Sequence, residues 1–450
     1  MPNIATSCPA NPRYAAGAVT AFVGLSAANV LPPLAQAALY AVGLVAVFQS
    51  RFRIPLPMTV ALLVAGGYVV ASRLALGIEL DGALRLWRPC VEGYLLAHVL
   101  HTWCRIRNFR SAALVLGGAI AIQFVVAASM AMFPAARLAA IEGIYADESY
   151  ANAQFTAALI FRGYGISRHH LYGFALACGL SAALLLVAAT MERAGVRRTV
   201  LASLAVAGLL LVAVNARIGF VPLVVCYLAG ATFLFHRFYP KHLLAVAVLL
   251  LAPLVVLGSI YFGDDFDTVW SWLGAGVMQF GESDPSESNT LSDLRAMLVF
   301  SSDTLERVVG AGRACGVDEA CYSDIGFVRA LQEGGVVYLL LVLGLYWQLN
   351  QHIVRLFRRS VGVQGPARRR AATLLAVVVH ATFVAAMIKG EAFGANDYSR
   401  LVATLGCLGT IGSPRRRQRP ATAAVQTAGR GGSAAALSPP SPSEPAFAKR

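Results

Sequence analysis

Long uninterrupted apolar runs, recurring along most of the chain, are the feature that most limits what this sequence can become. The runs at 112–133 and 243–262 are each long enough to cross ~30 Å of hydrocarbon as a helix. A soluble core cannot absorb so many of them. Only 13% of the 450 residues are charged, where soluble domains carry roughly 25%. The ~10-residue alternation of an outer-membrane barrel is absent, which leaves helices as the spanning form. The fold class predicted is therefore all-α: a polytopic transmembrane helical bundle of about 12 spans. They fall at 14–31, 33–49, 55–77, 84–103, 111–133, 170–190, 199–215, 218–235, 243–262, 326–349, 371–389 and 399–412.

A net charge of +14 suggests nucleic acid only until the charges are located. With the N-terminus in the cytoplasm and the spans alternating, the cytoplasmic segments hold 24 of the 37 Lys and Arg residues. Of the 23 acids they hold only Glu192 and Glu444. The balance is +22 inside and −8 outside, so the basic charge follows the positive-inside rule and no nucleic-acid partner is implied. Both termini are then cytoplasmic. Arg13, the apolar run 15–30 and Ala35-Gln36-Ala37 also resemble a cleavable signal peptide. Two helices joined at Pro32-Pro33 is the preferred reading, and cleavage would leave every later span oriented the same way.

Two periplasmic segments are long, 134–169 and 263–325, and loops of that size in a compact protein are usually functional. The second carries twelve acids against Arg295, Arg307 and Arg313. Cys315 and Cys321 lie together in it, and in an oxidising compartment they form a disulfide candidate. A metal site there is disfavoured, because no His lies between His242 and His352. Cys90, Cys104, Cys178, Cys226 and Cys407 lie in or beside spans and read as packing residues. The basic stretch 350–370 suits the anionic inner leaflet. The domain reading is a transmembrane domain over 1–412 and a Pro/Ser/Ala-rich disordered tail over 413–450. There is no clear internal repeat, no P-loop and no dinucleotide fingerprint.

Few residues can carry chemistry. Arg217, in Val214-Asn215-Ala216-Arg217-Ile218-Gly219 between two spans, sits at headgroup depth, where a guanidinium can fork onto phosphate oxygens or merely snorkel. Arg162 and Arg168 flank Gly163-Tyr164-Gly165 at the mouth of the next span, an arrangement suited to a diphosphate or to a salt-bridged loop end. Asp324 enters a span in Tyr322-Ser323-Asp324-Ile325-Gly326-Phe327, as a general base or, with Ser323, as an ordinary helix cap. The pairs Asp265/Asp267 and Glu79/Asp81 have metal-holding spacing but arise readily by chance in acidic loops. Glu92 has Arg88 four residues earlier as a helical partner. Lys389, Glu391, Asp397 and Arg400 cluster at the last periplasmic turn and can neutralise one another. Tyr164 and other loop aromatics can stack on sugars or form an interfacial belt.

Three of these stretches together resemble the bacterial O-antigen polymerase and O-antigen ligase superfamily over roughly 110–410. They are Phe161-Arg162-Gly163-Tyr164-Gly165, with Arg162 and Gly173 spaced as R-x10-G; Asn215-Ala216-Arg217-Ile218-Gly219, similar to the family's Ser-Arg-Gly turn; and a long loop closing in Ser323-Asp324-Ile325-Gly326-Phe327-Val328 and Glu333-Gly334-Gly335. Ala216 stands where Ser is usual, and only one R-x10-G is present. The resemblance implies a lipid-dependent glycosyltransferase of the inner (cytoplasmic) membrane with undecaprenyl-diphosphate-linked oligosaccharide as donor. It implies Arg162 and Arg217 against the diphosphate and Asp324 as base. Arg168, Tyr164, Arg313 and Arg295 are the expected substrate-binding residues. No cofactor and no metal is called for. The expected partners are the lipid-linked glycan, membrane lipid, and the flippase and chain-length regulator of the same pathway. The polymerase branch, making an exopolysaccharide, capsule or O-antigen chain, is preferred over the ligase, whose large loop carries a His that 263–325 lacks. A polysaccharide flippase or other transporter is the alternative of a different class.

Overall fold

The structure is a computed structural model, and it describes residues 12–50, 56–78, 80, 85–145, 163–168, 170–192, 195–234, 297–301, 303–312, 323–360, 366–390, 394 and 396–411. Among the described residues every regular element is helical. The α-helices are α1 (Pro12–Leu25), α2 (Pro33–Gln49), α3 (Leu56–Ala75), α4 (Trp87–Thr102), α5 (Phe109–Met132), α6 (Pro134–Tyr145), α7 (Ala175–Met191) and α8 (Val196–Ala213). They continue with α9 (Phe220–Leu234), α10 (Thr304–Val309), α11 (Gly326–Ser360), α12 (Pro366–Ile388) and α13 (Asp397–Ile411). A π turn, His170–Phe174, leads into α7, and short 3-10 turns lie at Ala27–Asn29 and Arg217–Gly219. Every predicted apolar segment except 243–262, which lies outside the described residues, falls on a helix.

Six of these helices are long and apolar enough to cross a bilayer, and α2 is a shorter apolar one. Leu34, Leu44, Phe48, Leu63, Val125 and Trp347 point their apolar surface outward. A soluble monomer rarely exposes so much. The protein is membrane-embedded.

Local chemistry sets the helix ends. Asn108 caps α5 by accepting from the Ser111 amide at 2.9 Å, and the Ser111 hydroxyl accepts in turn from the Asn108 amide at 3.4 Å. Asp303 caps α10 by accepting from the Leu305 amide at 2.8 Å. Pro33 occupies the first position of α2, where its missing N–H costs nothing. Ser323 heads α11, its hydroxyl accepting from the Ile325 amide at 3.1 Å.

Two segments differ from the sequence expectation. The segment 134–169 is partly helical, because α6 begins directly at Pro134. The predicted span 326–349 is the first part of a longer helix that runs on to Ser360, since Ile353, Val354, Leu356 and Phe357 keep burying one face. That helix is broken at Gly334 and Gly335, whose φ values are −152° and +64°. The break receives α10: a Cβ on Gly335 would lie 2.2 Å from the Val308 carbonyl oxygen.

Helix directions alternate about the core. The α5 N-terminus meets the α11 C-terminus, with the Phe109 amide donating to Ser360. Arg110 pairs with Glu192 at 3.0 Å beyond the end of α7, and Arg359 donates to the Gly409 carbonyl at 2.7 Å near the end of α13. These contacts define a lower face. The C-terminal half of α5 and the N-termini of α7, α11 and α13 therefore share the opposite, upper face. The lower cluster rests on paired charges and helix C-termini facing cations. Cys90, Cys104, Cys178, Cys226 and Cys407 are buried free thiols, as packing residues should be.

Close backbone approach holds α7 against the Arg217–Gly219 turn. A Cβ on Gly179 would sit 1.9 Å from the Gly219 carbonyl oxygen, whereas one on Gly344 would meet nothing within 4 Å. Gly179→Ala is expected to destabilise the detergent-solubilised protein by about 1–3 kcal/mol through overpacking. Gly344→Ala should leave the thermal midpoint unchanged or slightly raised. Equal midpoints for the two variants would contradict the close approach.

Candidate functional site

The sequence-selected stretches meet on the upper face. Asn215, fully buried at the end of α8, reaches the Gly163-Tyr164-Gly165 segment from below. Its Oδ1 accepts from the amides of Gly163 and Tyr164, both at 3.2 Å, and its Nδ2 donates to the Tyr164 carbonyl at 3.0 Å and the Leu211 carbonyl at 2.8 Å. A single amide side chain thus fastens the turn carrying Arg217 to the segment that follows Arg162. Gly163 and Gly165 have φ of +100° and +105°, left-handed values that a side chain would strain. The sequence Gly-Tyr-Gly is what lets the chain fold back over Asn215.

Gln123, in the middle of α5, grips the next residue from the other side. It donates to the Ile166 carbonyl and accepts from the Ile166 amide, each at 2.9 Å. Ser167, fully buried, then donates to Asp397 Oδ2 at 2.6 Å. The segment 163–168 is consequently held by α5, α8 and α13 at once. Arg168 closes it and is half-buried.

Tyr164 meets a residue that the sequence reading passed over. Arg137, near the start of α6, donates to the Tyr164 hydroxyl at 3.0 Å, and its guanidinium carbon lies 4.3 Å from the ring centroid. Burial pushes the Tyr164 phenol above its ordinary pKa, and the adjacent guanidinium acts in the opposite direction. The phenol therefore stays protonated through the neutral range. Arg137 was not legible because the residues after 133 read as loop; the signal available was Pro134 at a helix start with Arg137 one turn in.

Asp324 is half-buried at the mouth of α11, immediately after the capping Ser323. It is joined to the rest through glycines. A Cβ on Gly326 would lie 2.0 Å from the Gly390 carbonyl oxygen, and one on Gly390 would lie 2.8 Å from the Tyr172 ring. Tyr172 donates to the Ala386 carbonyl. A Cβ on Gly173, the second residue of the R-x10-G spacing, would meet Asn396 at 2.6 Å, and Asn396 caps α13 by accepting from the Ser399 amide at 2.9 Å. Asp324 and the 163–168 segment are thus connected only indirectly, through the packing of Gly326, Gly390, Tyr172 and the residues about Gly173. Arg217 is described by its backbone alone, in the 3-10 turn. Arg162, Arg295, Arg313, Cys315, Cys321, Asp265, Asp267, Glu79, Asp81 and Glu391 lie outside the described residues.

Beneath the upper face lies a buried ion network. Glu92 accepts from Tyr40 Oη at 2.5 Å, Arg88 Nε at 2.9 Å and Arg400 Nε. Arg400, with no exposed surface, also reaches Asp397 Oδ1 at 3.5 Å and the Leu25 carbonyl at 3.3 Å. The expected Arg88–Glu92 pair is present; Arg400 draws its main partner from α4 rather than from its own turn. Two guanidinium groups thus face two carboxyl groups. Neither α4 nor α13 presents a wholly apolar surface, and the network is why both can run inside the bundle.

The chain matches no protein-family model and no curated protein sequence.

Removing one partner of a buried ion pair strands the other charge and costs ~3–5 kcal/mol. Arg400→Met is therefore expected to sharply lower membrane abundance and thermal stability. The double variant Arg400→Met/Asp397→Asn leaves Glu92 with Arg88 and Tyr40 and should recover most of that loss. A double variant no more stable than the single one would show that charge balance is not what the network supplies.

Proposed function

We propose that this protein is a polysaccharide polymerase that joins undecaprenyl-diphosphate-linked repeat units into an exopolysaccharide, capsule or O-antigen chain at the periplasmic face of the inner membrane. The observation that carries the reading is the Asn215 clamp. It brings together two stretches, 52 positions apart at Gly163 and Asn215, that were singled out separately for their Arg and Gly content. The reading takes twelve spans, with both termini cytoplasmic and the upper face periplasmic.

The chemistry follows from what leaves. Breaking the anomeric C–O bond builds oxocarbenium character on the donor sugar and negative charge on the departing diphosphate. Fixed cationic groups can stabilise that charge without a metal. Arg217 and Arg162 are assigned that role, and Arg168 and Arg137, which flank Tyr164 in sequence or contact it, are assigned to assist. Asp324 accepts the proton of the acceptor hydroxyl, and Tyr164, kept neutral, offers a ring face and a hydroxyl to a sugar. Arg295 and Arg313 remain assigned to the acidic loop as substrate contacts, and Cys315–Cys321 to a brace before Asp324.

A transporter is the second reading, and the buried Glu92–Arg400–Asp397 network is the observation that favours it, since ionisable groups inside spans often mark transport pathways. A deletion strain separates the possibilities. Loss of a polymerase should leave undecaprenyl diphosphate bearing one repeat unit on the periplasmic leaflet. Loss of a flippase would leave the same lipid on the cytoplasmic leaflet, and loss of a ligase would leave long polymer still attached to it. Either of the last two patterns overturns the assignment.

Arg217→Lys keeps the charge but loses the bidentate fork. It is expected to lower polymer formation nearly as far as Arg217→Ala, at equal membrane abundance. Normal polymer in the Lys variant would remove Arg217 from diphosphate binding.

A further inference from the structure

The Ser167–Asp397 contact does something that charge balance does not require. Asp397 already faces Arg400 through Oδ1; its other oxygen, Oδ2, is turned to the Ser167 hydroxyl at 2.6 Å. Both side chains are fully buried. The bond crosses 230 positions of sequence and links the 163–168 segment to the ion network. Asp397 is the first residue of α13, fixed there by the Asn396 cap, and Arg400 fixes it again from the next turn. The carboxylate is thereby immobilised from two directions before it meets Ser167.

We infer that Asp397 is a positioning residue: through Ser167 it sets the segment 163–168, and with it Tyr164 and Arg168, in the geometry that receives the diphosphate of the lipid-linked donor. The inference rests on the function proposed above. It assigns a task to a buried carboxylate that touches no substrate. Gln123 and Asn215 hold Ile166 and Tyr164 from the α5 and α8 sides, and Asp397 holds Ser167 from the α13 side. Without that bond, the segment keeps its bonds at Tyr164 and Ile166 but loses its tie to α13.

Two substitutions divide positioning from charge balance. Ser167→Ala removes the hydroxyl and leaves the Asp397–Arg400 pair intact. Asp397→Asn weakens the pair, but either orientation of its amide keeps a hydrogen bond to the Ser167 hydroxyl, which can donate or accept. The assay is binding of undecaprenyl diphosphate to the detergent-solubilised full-length protein, read beside its thermal midpoint. Ser167→Ala is expected to weaken binding about tenfold with little change in midpoint. Asp397→Asn is expected to lower the midpoint more and to hold binding within about twofold. Should Ser167→Ala fail to accumulate, Ser167→Cys, a near-isostere with a weak donor, is expected to show the same binding loss. Unchanged binding in the Ser167 variant, or an equal loss in Asp397→Asn, overturns the inference and leaves the proposed function standing. A wild-type protein that binds no undecaprenyl diphosphate defeats the proposed function itself, and this inference with it.

Discussion

Everything on the upper face depends on a guanidinium buried where water cannot reach it. Arg400 has no exposed surface, so its charge must be met by protein groups: Glu92 from α4, Asp397 from its own helix and the Leu25 carbonyl from the end of α1. Glu92 in turn needs Arg88 and Tyr40, the latter from α2. No member can be left out without stranding another in a medium that penalises an unpaired charge by several kcal/mol. The helices that supply these groups are therefore fixed in rotation and depth relative to one another. Apolar packing alone would not achieve that among helices as similar as these, since lipid tails solvate Leu and Val as well as a neighbouring helix does.

Around that fixed set, the upper face is closed by backbone contact. Gly179 against Gly219, Gly326 against Gly390, and Gly335 against Val308 each bring two main chains to a distance that a methyl group would prevent. These glycines act by absence of volume, as small residues do in membrane helix interfaces. At Gly335 and Gly390, as at Gly163 and Gly165, a positive φ adds a conformational reason. The break in α11 at Gly334–Gly335 belongs to the same logic: an unbroken helix there would exclude α10 and the segment leading up to Gly312, which packs near Leu76 and Ile78.

How much of this the sequence disclosed depends on separation along the chain. The helices were visible because apolar runs are local, and the Arg88–Glu92 pair because four residues make one helical turn. The Ser323 cap was visible for the same reason. The Glu92–Arg400 pair spans 308 positions, and nothing in either neighbourhood names the other, so Arg400 seemed able to neutralise its own turn. Asn215 was noticed only as a neighbour of Arg217, because a buried amide with four partners looks the same in sequence as an exposed one. Arg137 was hidden by a helix beginning where a loop was expected. Gln123 lies within an apolar run that was read only as a span, and nothing local marks it as a residue with a distant partner.

The segment 163–168 shows what such hidden contacts accomplish. Segments that bind ligands are commonly among the least stable parts of a protein, ordered only when the ligand arrives. The segment 163–168 is instead fastened through Asn215 at Gly163 and Tyr164, through Gln123 at Ile166 and through Asp397 at Ser167. Its Gly163, Tyr164 and Ile166 amides are spent on these bonds, so in the proposed reaction the segment would hold its side chains in place with little reorganisation. Electrostatic stabilisation is largest when the environment is set in advance and reorganises least. A buried network that looks purely architectural is thus the means by which a short, glycine-rich segment can hold one geometry, its polar groups met by protein partners from three helices.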